Sequence, residues 1–280
     1  MEIFQTAYGR FCVDTERDKK FSALFRKNIY QHEEEIEFLL TFLNPQSVAV
    51  DVGAHIGSIA IPLAQKSKQV YAIEPVEESA ELLKQNLLLN RIGNVQLHRC
   101  GLGDTMTTAS AVIGNPKSTG TFMLREGTGI EVKTLDSLEL GRVDLIKIDV
   151  EGMEAQVLKG GEKTISQWRP LIFFEVNLTA LRLQGNALSS ITKFFKRKGY
   201  NLYLKQGSRI LKLPNLFFGA ALLQPRMYFF GIHSGVFNVT ALPREKKIHH
   251  LDALRSVLLL GYQLLKRTVG RLSPFRPTGG

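Results

Sequence analysis

The stretch Val48–Gly57, with the sequence Val-Ala-Val-Asp-Val-Gly-Ala-His-Ile-Gly, decides the fold of this 280-residue chain. Its first half is a short apolar run that predicts a buried β-strand, and its second half turns through two glycines into a predicted helix. A strand, a glycine turn and a helix in this order form the nucleotide-type site of doubly wound α/β folds. The stretch therefore predicts both the fold class and the position of a cofactor site.

Short apolar runs and helical segments alternate along the chain from Ser47 onwards. This alternation is typical of parallel strands that are buried on both faces, so we predict a doubly wound, mostly parallel, seven-stranded sheet. The predicted strands are Val48–Val52, Gln69–Ile73, Val95–Arg99, Val143–Asp149, Leu171–Val176, Tyr200–Leu204 and Phe237–Leu242. Helices are expected over Glu77–Asn90 and Ala187–Lys198, and residues 105–131, rich in Thr, Ser and Gly, predict a loop or a β-hairpin insertion.

Three segments are expected along the chain. Residues 1–45 form an N-terminal helical cap, with a helix over Glu33–Leu43, that lies over one sheet edge or over the cofactor site. Residues 46–246 form the cofactor-binding α/β domain. Residues 247–280 form a basic amphipathic tail with a helix over His249–Leu272. The sequence pattern leaves three alternatives open for this tail. It lies on an acidic membrane surface, it contacts a protein partner, or it packs on its own domain or on a second subunit of a homodimer.

The composition favours some partners and compartments over others. The formal net charge is +10, and residues 241–280, with eight basic and only two acidic residues, carry +6 of it. No nucleic-acid partner is therefore expected. Two cysteines without metal-ligand spacing, the lack of a leader-like start and the lack of a long apolar run predict a cytoplasmic protein, located at the inner membrane surface if the tail binds lipid.

The carboxylate of Asp51, two residues before Gly53, selects the kind of cofactor. A dinucleotide loop has a third glycine and binds a diphosphate, which a carboxylate would repel. The methionyl ammonium of S-adenosylmethionine attracts a carboxylate instead. Gly53 and Gly57 allow the backbone to turn tightly and to approach the ligand closely. The loop therefore predicts S-adenosyl-L-methionine rather than a nicotinamide dinucleotide.

Two further acids are placed where this cofactor would need them. Glu74 directly follows the second strand, where an acid accepts hydrogen bonds from both ribose hydroxyls. Asp104 follows the third strand and either accepts from the adenine amino group or is a solvent-facing turn residue. His55 is expected to fill the loop rather than to act as a catalyst. The predicted cofactor-binding residues are Asp51, Gly53, Ala54, His55, Gly57, Glu74, Pro75 and Asp104.

An acidic cluster follows the fourth and fifth strands. Asp149 and Glu151 come after one strand and Glu175 ends the next, so all three face the crevice at the carboxyl ends of the sheet. They are candidate general bases or positioning acceptors for a hydroxyl that attacks a sulfonium methyl group, and equally candidate ligands of a divalent metal, although we assign no metal site. Glu154 begins the next helix, where the helix dipole explains a carboxylate equally well.

Lys147 is the fourth catalytic candidate. It lies on the same face of its strand as Asp149, and an unpaired ammonium there would be expensive to bury. Asp149 or Glu175 is therefore expected to pair with it, either as a structural ion pair or as part of the reaction site.

Several of these motifs together resemble the FkbM family of methyltransferases. The resemblance covers residues 30–246 and is most specific at Ile146–Glu154. The matching pieces are Val50–Gly57, Ile73–Pro75, Thr134–Asp136, Ile146–Glu154, Leu158–Gly161, Phe173–Glu175 and Ala241–Glu245. The resemblance implies the Rossmann-like class I methyltransferase fold and S-adenosylmethionine-dependent O-methylation of a sugar, a glycan or a small-molecule natural product, with Asp51, Gly53, Gly57 and Glu74 on the cofactor.

Three other functions are weighed against this one. A methyltransferase for RNA or protein nitrogen would be expected to have an Asn-Pro-Pro-aromatic run after the fourth strand, where the chain has Asp149–Gly152. A catalytically silent cofactor-binding or scaffold protein of a glycan pathway would bind the cofactor without turnover. A nicotinamide dehydrogenase is disfavoured by Asp51.

Overall fold

The structure is a computed structural model, and it describes residues 1–113, 122–206, 209–212 and 236–246. The predicted tail and its helix over His249–Leu272 lie outside the described residues, as do residues 114–121 of the predicted insertion. The helices are α1 Lys19–Arg26, α2 Glu33–Leu40, α3 Ala60–Lys66, α4 Glu77–Leu89, α5 Glu154–Gly160, α6 Glu162–Trp168, α7 Leu178–Leu183 and α8 Leu188–Arg197. The strands are β1 Glu2–Thr6, β2 Gly9–Val13, β3 Val48–Val52, β4 Gln69–Ile73, β5 Val95–His98, β6 Gly101–Leu102, β7 Thr107–Ile113, β8 Phe122–Glu126, β9 Ile130–Lys133, β10 Leu145–Ile148, β11 Leu171–Asn177, β12 Tyr200–Gln206, β13 Arg209–Lys212 and β14 Val236–Pro243.

The main sheet has the strand order β13-β12-β14-β11-β10-β3-β4-β5, counting the described residues. All seven predicted strands belong to it, and β13 makes an eighth, so the predicted strand number is corrected. The five strands from β11 to β5 are parallel, whereas β14 pairs antiparallel with both β11 and β12. The fold is a Rossmann-like, doubly wound α/β sheet.

Both faces of the sheet are covered because side chains alternate along each strand. Ala49 and Leu145 point to one face and pack with apolar residues of α2, α3 and α4. Val50 and Ile146 point to the other face and pack with α5, α6 and α8. This two-sided burial explains why the strands are apolar runs rather than alternating sequences.

The first 45 residues differ from the expected helical cap. They form an antiparallel hairpin, β1 with β2, before the helices α1 and α2. Asn86 of α4 fixes this hairpin, since its Oδ1 accepts from the Cys12 backbone N–H at 2.6 Å and its Nδ2 donates to the Ile56 carbonyl at 2.9 Å. Phe11 is fully buried in the core below β3. The N-terminal segment is thus part of the packed domain.

The insertion after the third strand contains a β-hairpin, one of the two forms that the sequence predicts. β7 and β8 pair antiparallel within a second sheet of order β6-β9-β7-β8 among the described residues. Arg125 of β8 donates to the Leu183 carbonyl at the end of α7 at 2.9 Å. The hairpin is therefore anchored beside the carboxyl ends of the main strands.

The chain order reverses between β3 and β10. β4 and β5 extend the sheet on one side of β3, and β10 and β11 extend it on the other. In open α/β sheets, ligands bind at such a reversal, outside the carboxyl ends of the strands. The parallel register places Asp51 of β3 directly beside Lys147 of β10 at this point. No helix among the described residues is long and apolar enough to cross a membrane.

Candidate active site

A cavity of about 320 Å³ lies at the carboxyl ends of β3, β4, β10 and β11. Ten of the predicted site residues line it: Asp51, Gly53, Ala54, His55, Glu74, Pro75, Lys147, Asp149, Glu151 and Glu175. Gly57 and Asp104 do not. The structure therefore brings the predicted cofactor residues and the acidic cluster to one cavity.

Lys147 of β10 connects β10 with β3 at the bottom of the cavity. Its Nζ lies 3.1 Å from Asp51 Oδ1 and 3.7 Å from Asp149 Oδ2, and it donates to the Gly53 carbonyl at 3.1 Å. The expected partner Asp149 is thus the more distant one, and Asp51 across the strand is closer. Burial opposes the charge of Lys147, but the two carboxylates outweigh burial and raise its pKa above the ordinary value.

Asp51 is completely buried and is only partly satisfied by Lys147. Oδ1 forms the ion pair, without the alignment of a hydrogen bond, while Oδ2 has no hydrogen-bond partner in the part of the chain that the structure describes. Burial raises the pKa of Asp51, and the ammonium of Lys147 opposes this rise. A buried acceptor of this kind calls for a donor from a ligand.

Glu74 is held rigidly at the end of β4. Its Oε2 accepts from the His55 N–H at 2.8 Å, and its Oε1 accepts from the Val76 N–H at 2.9 Å. Each carboxylate oxygen keeps a second lone pair, so both can still accept from a ligand hydroxyl. Burial raises the pKa of Glu74 to about 7, although the two backbone bonds oppose it.

The glycines of the loop are required by the packing of the chain itself. Gly53 has φ +81°, and a Cβ on it would lie 2.0 Å from the Asp149 carbonyl oxygen. Gly57 has φ +89°, and a Cβ on it would lie 2.4 Å from Leu83 Cδ1. Gly53 still lines the cavity, whereas Gly57 faces the core, so the expected ligand contact of Gly57 is corrected to a packing role.

His55 fills the loop, as the sequence predicts. Its Nε2 lies 3.7 Å from Asp18 Oδ2, and its ring packs at 5.5 Å from the ring of Phe21. Burial lowers the pKa of His55 to about 4, and the Asp18 carboxylate opposes this only in part. The ring is therefore neutral at neutral pH.

Asp104 lies outside the cavity. Its Oδ2 accepts from Lys159 Nζ at 2.7 Å, in a separate groove between α5 and α8. The ion pair holds the carboxylate in that groove, whereas Cys100, Gly101 and Leu102 line the cavity. The predicted contact with the adenine amino group is corrected accordingly.

Glu154 has the structural role that the sequence left open. It is the first residue of α5, it is buried, and its Oε1 accepts from the Gly152 N–H at 3.1 Å. It does not line the cavity.

The acidic cluster occupies the end of the cavity beside β10 and β11. Asp149, Glu151 and Glu175 all line it, and Asn177 Nδ2 donates to Glu151 Oε2 at 3.4 Å. Burial, reinforced by the charge of Asp149, raises the pKa of Glu151 to about 7 and that of Glu175 to about 8. Glu151 also has a left-handed backbone with φ 49°, which is unusual for a residue other than glycine and is common at functional sites.

The described residues contain no group of three or more His, Cys, Asp or Glu side chains arranged to hold a metal ion. The three acids of the cluster are thus brought to one cavity without forming a metal-ligand set.

Residues of the N-terminal segment, which sequence reasoning did not select, form another wall of the cavity. Lys20 and Phe21 of α1 and Gln31 and His32 before α2 all line it. His32 Nδ1 lies 2.6 Å from Glu35 Oε2, and Asn238 of β14 donates to Glu35 Oε1 at 2.6 Å. The spacing of His32 and Glu35 across a helix start is the sequence feature that could have indicated their contact. Asn238 is distant in sequence, so no sequence pattern indicates its contact with Glu35.

A family model described as "Methyltransferase FkbM domain" matches residues 51–202, more than half of the chain. The chain belongs to the FkbM methyltransferase family. The match begins at Asp51 and includes Glu74 and the whole acidic cluster. The resemblance to the FkbM family that the motifs indicate is therefore confirmed.

Two curated relatives are similar to this FkbM chain. One is "Methyltransferase 1" of Beauveria bassiana, which is 27% identical over an alignment of 144 positions that covers 41% of this chain and 58% of that protein. The other is "Hexuronic acid methyltransferase AglP" of Haloferax volcanii, which is 30% identical over an alignment of 145 positions that covers 48% of this chain and 58% of that protein. The chain thus spans less than two thirds of the length of either relative. Among solved structures, a methyltransferase FkbM from Methylobacillus flagellatus KT has a TM-score of 0.44 and 23% identity, and the match covers 59% of this chain and 41% of that one.

S-adenosyl-L-methionine is the cofactor of this methyltransferase domain, and the residues of the cavity fit it. The unsatisfied Oδ2 of Asp51 can accept from the methionyl ammonium, and the fixed carboxylate of Glu74 can accept from the ribose hydroxyls. The apolar surface of Leu102 suits an adenine ring.

Proposed function

We propose that the chain transfers the methyl group of S-adenosylmethionine to a hydroxyl oxygen of a sugar, a glycan or a small-molecule natural product. The observation that carries the proposal is the placement of Asp149, Glu151 and Glu175 on the wall of the cavity that also contains Asp51 and Glu74. Cofactor residues and polar acceptor residues therefore share one space. The name of the Haloferax relative, a hexuronic acid methyltransferase, supports a sugar as the acceptor.

The acids would hold the acceptor in line with the methyl group. The cofactor supplies an electrophilic methyl group on a sulfonium, and the protein must place an oxygen in contact with it. Glu151 and Glu175, with pKa values about 7 and about 8, exchange protons near neutral pH, so each can donate to or accept from a hydroxyl. A polyhydroxylated acceptor offers several such partners.

The first experiment separates cofactor binding from transfer. The purified chain is titrated calorimetrically with S-adenosylmethionine, S-adenosylhomocysteine and NAD, and we expect the first two to bind. Methyl-labelled S-adenosylmethionine is then offered with neutral glycosides, amino sugars, uronic acids, RNA and protein. We expect label in a sugar fraction that survives mild alkali, because an ether is stable there and a methyl ester is not.

Glu151→Gln is the matched variant for this experiment. The substitution keeps the size of the side chain and removes its exchangeable proton, so we expect cofactor affinity near that of the wild type and slower single-turnover transfer. Label in RNA or protein, or cofactor binding with no transfer to any class, would contradict the proposed O-methylation and favour a nitrogen methyltransferase or a non-catalytic scaffold respectively.

A further inference from the structure

His32 is positioned over the reaction site by a segment that lies before the family match. It lines the cavity immediately before α2, and Asp51 lies at the bottom of the same cavity. The ring is largely buried, with 17% of the side chain exposed. A histidine that borders the same space as Asp149 and Glu175 can reach a molecule bound there.

The ring of His32 is oriented by its neighbour. Its Nδ1 lies 2.6 Å from Glu35 Oε2, one helical turn further along. A carboxylate oxygen only accepts, so Nδ1 must carry the proton of this hydrogen bond. In the neutral ring the lone pair is then on Nε2, the nitrogen that can take a proton from a ligand.

The side chain of Glu35 is in turn held in its ionised form. Burial favours its neutral form, but the hydrogen bond and charge of His32 and the hydrogen bond from Asn238 outweigh burial and lower its pKa. Asn238 donates to Oε1 at 2.6 Å from β14, where it lies opposite Glu175 of β11 in the antiparallel register. A strand of the main sheet thus positions the carboxylate that positions the histidine.

We propose that His32 is the general base of the methyl transfer and that Glu35, held by Asn238, is its positioning residue. This assignment rests on the proposed function. As the acceptor oxygen forms its bond to the methyl carbon, the carbon–sulfur bond breaks with its electron pair going to sulfur, and the hydroxyl proton passes to Nε2 of His32. The imidazolium that forms is stabilised by the Glu35 carboxylate, as in acid–histidine pairs of other enzymes.

The acidic cluster then has a different part in the reaction. Burial raises the pKa of Glu175 to about 8, so its protonated form can donate to the acceptor at neutral pH. Asp149 lies near the Lys147 ammonium. The acids orient the acceptor, and the histidine removes the proton.

The tautomer of His32 tests the arrangement without any acceptor. The full chain is labelled with ¹⁵N-histidine and studied by NMR as its S-adenosylhomocysteine complex at mildly alkaline pH, and His32→Gln identifies the signal among the six histidines. We expect the Nδ1–H tautomer to predominate and to lose that predominance in Glu35→Gln. A predominant Nε2–H tautomer in the wild type would overturn the proposal.

Transfer rates test the chemical role. With the acceptor found by the labelling screen, His32→Ala should slow single-turnover transfer roughly 100- to 10,000-fold while cofactor affinity stays close to that of the wild type, and added imidazole should restore part of the rate. Glu35→Gln should lower kcat with little change in KM. Glu37→Gln, an exposed acid on the same helix, and His98→Gln, outside the cavity, are the controls and should transfer normally.

The two proposals fail in different ways. Absence of transfer by the wild-type chain contradicts the proposed function. If His32→Ala transfers methyl groups within about twofold of the wild-type rate, only the assignment of the base is contradicted. The same holds if the variant loses both its transfer rate and its cofactor binding and imidazole does not restore the rate.

Discussion

Lys147 carries its charge in the interior because it faces two carboxylates and a carbonyl at once. Asp51 belongs to β3 and Asp149 directly follows β10, and Lys147 Nζ lies 3.1 Å from the first carboxylate and 3.7 Å from the second. Sequence reasoning required a carboxylate partner for Lys147 because an unpaired buried ammonium is costly. It considered Asp149 and Glu175 and not Asp51, since the register between β3 and β10 is a tertiary fact that spacing along the chain does not contain.

Glu74→Ala is expected to weaken the binding of S-adenosylmethionine by about 1 to 3 kcal/mol, because the ribose hydroxyls lose their hydrogen-bond acceptor. Isothermal titration measures this loss directly. The substitution also leaves the His55 and Val76 N–H groups without their partner, so a thermal melt of the variant is needed to separate folding from binding. Glu78→Gln, an exposed acid in α4, should bind normally. Wild-type affinity in the folded Glu74→Ala variant would remove Glu74 from the ribose site.

The secondary-structure elements that could be predicted from the sequence are those that a local residue pattern determines. The buried strands were found because both of their faces are apolar, as at Val48–Val52. The hairpin of β1 and β2 was missed because its signal is weak: Phe4 is buried, but the neighbouring Ile3 is 57% exposed, and the hairpin is fixed by Asn86 of a distant helix.

The site residues show the same contrast between what a local pattern predicts and what only tertiary contacts determine. Residues at strand ends were predicted correctly as neighbours, because parallel strands end at one edge. Asp104 was misplaced because its partner Lys159 lies on another element. The pair of His32 and Glu35 is completed by Asn238, 203 residues beyond Glu35, a distance across which no sequence pattern acts.

The turn between β10 and α5 depends on Gly152. Its φ is +98°, and a Cβ there would lie 2.5 Å from the Ala180 carbonyl carbon and oxygen. We expect Gly152→Ala to lower the free energy of unfolding by about 3 kcal/mol or more, because backbone strain and a backbone clash add.

Gly129→Ala is the matched control for this prediction. Gly129 has a similar φ of +96° but no atom within 4 Å of the added Cβ, so it should lose only about 1 to 2 kcal/mol, the cost of the left-handed backbone. Urea titrations of both variants make the comparison. Equal losses would mean that the contact with Ala180 relaxes without cost.

For the whole molecule, the buried acids of the cavity make stability depend on pH. The pKa values of Glu74 and Glu151 are about 7 and that of Glu175 is about 8, each raised first of all by burial, from an ordinary value of 4.5. Between the ordinary pKa and these raised pKa values, the folded protein therefore binds more protons than the unfolded chain. The stabilisation is complete below the ordinary pKa and is lost as the pH rises through 7 and 8.

The melting temperature of the ligand-free chain is accordingly expected to fall by several degrees as the pH rises from about 6 to about 9. Glu175→Gln cannot ionise and should flatten part of this decline. Differential scanning calorimetry of the two proteins over this range provides the measurement. A melting temperature that stays constant, or rises, in the wild type would show that these acids do not hold their protons in the folded state.

The position of β14 has a consequence for biosynthesis. It lies in the sheet between β11 and β12, yet it is made after both of them. While the ribosome is still elongating the chain, β11 has an open edge, and Glu35 lacks the amide of Asn238. The nascent chain can therefore form its cofactor loop long before its reaction centre is complete. The Glu35 carboxylate receives its hydrogen bond from Asn238 only after this late strand has joined the sheet.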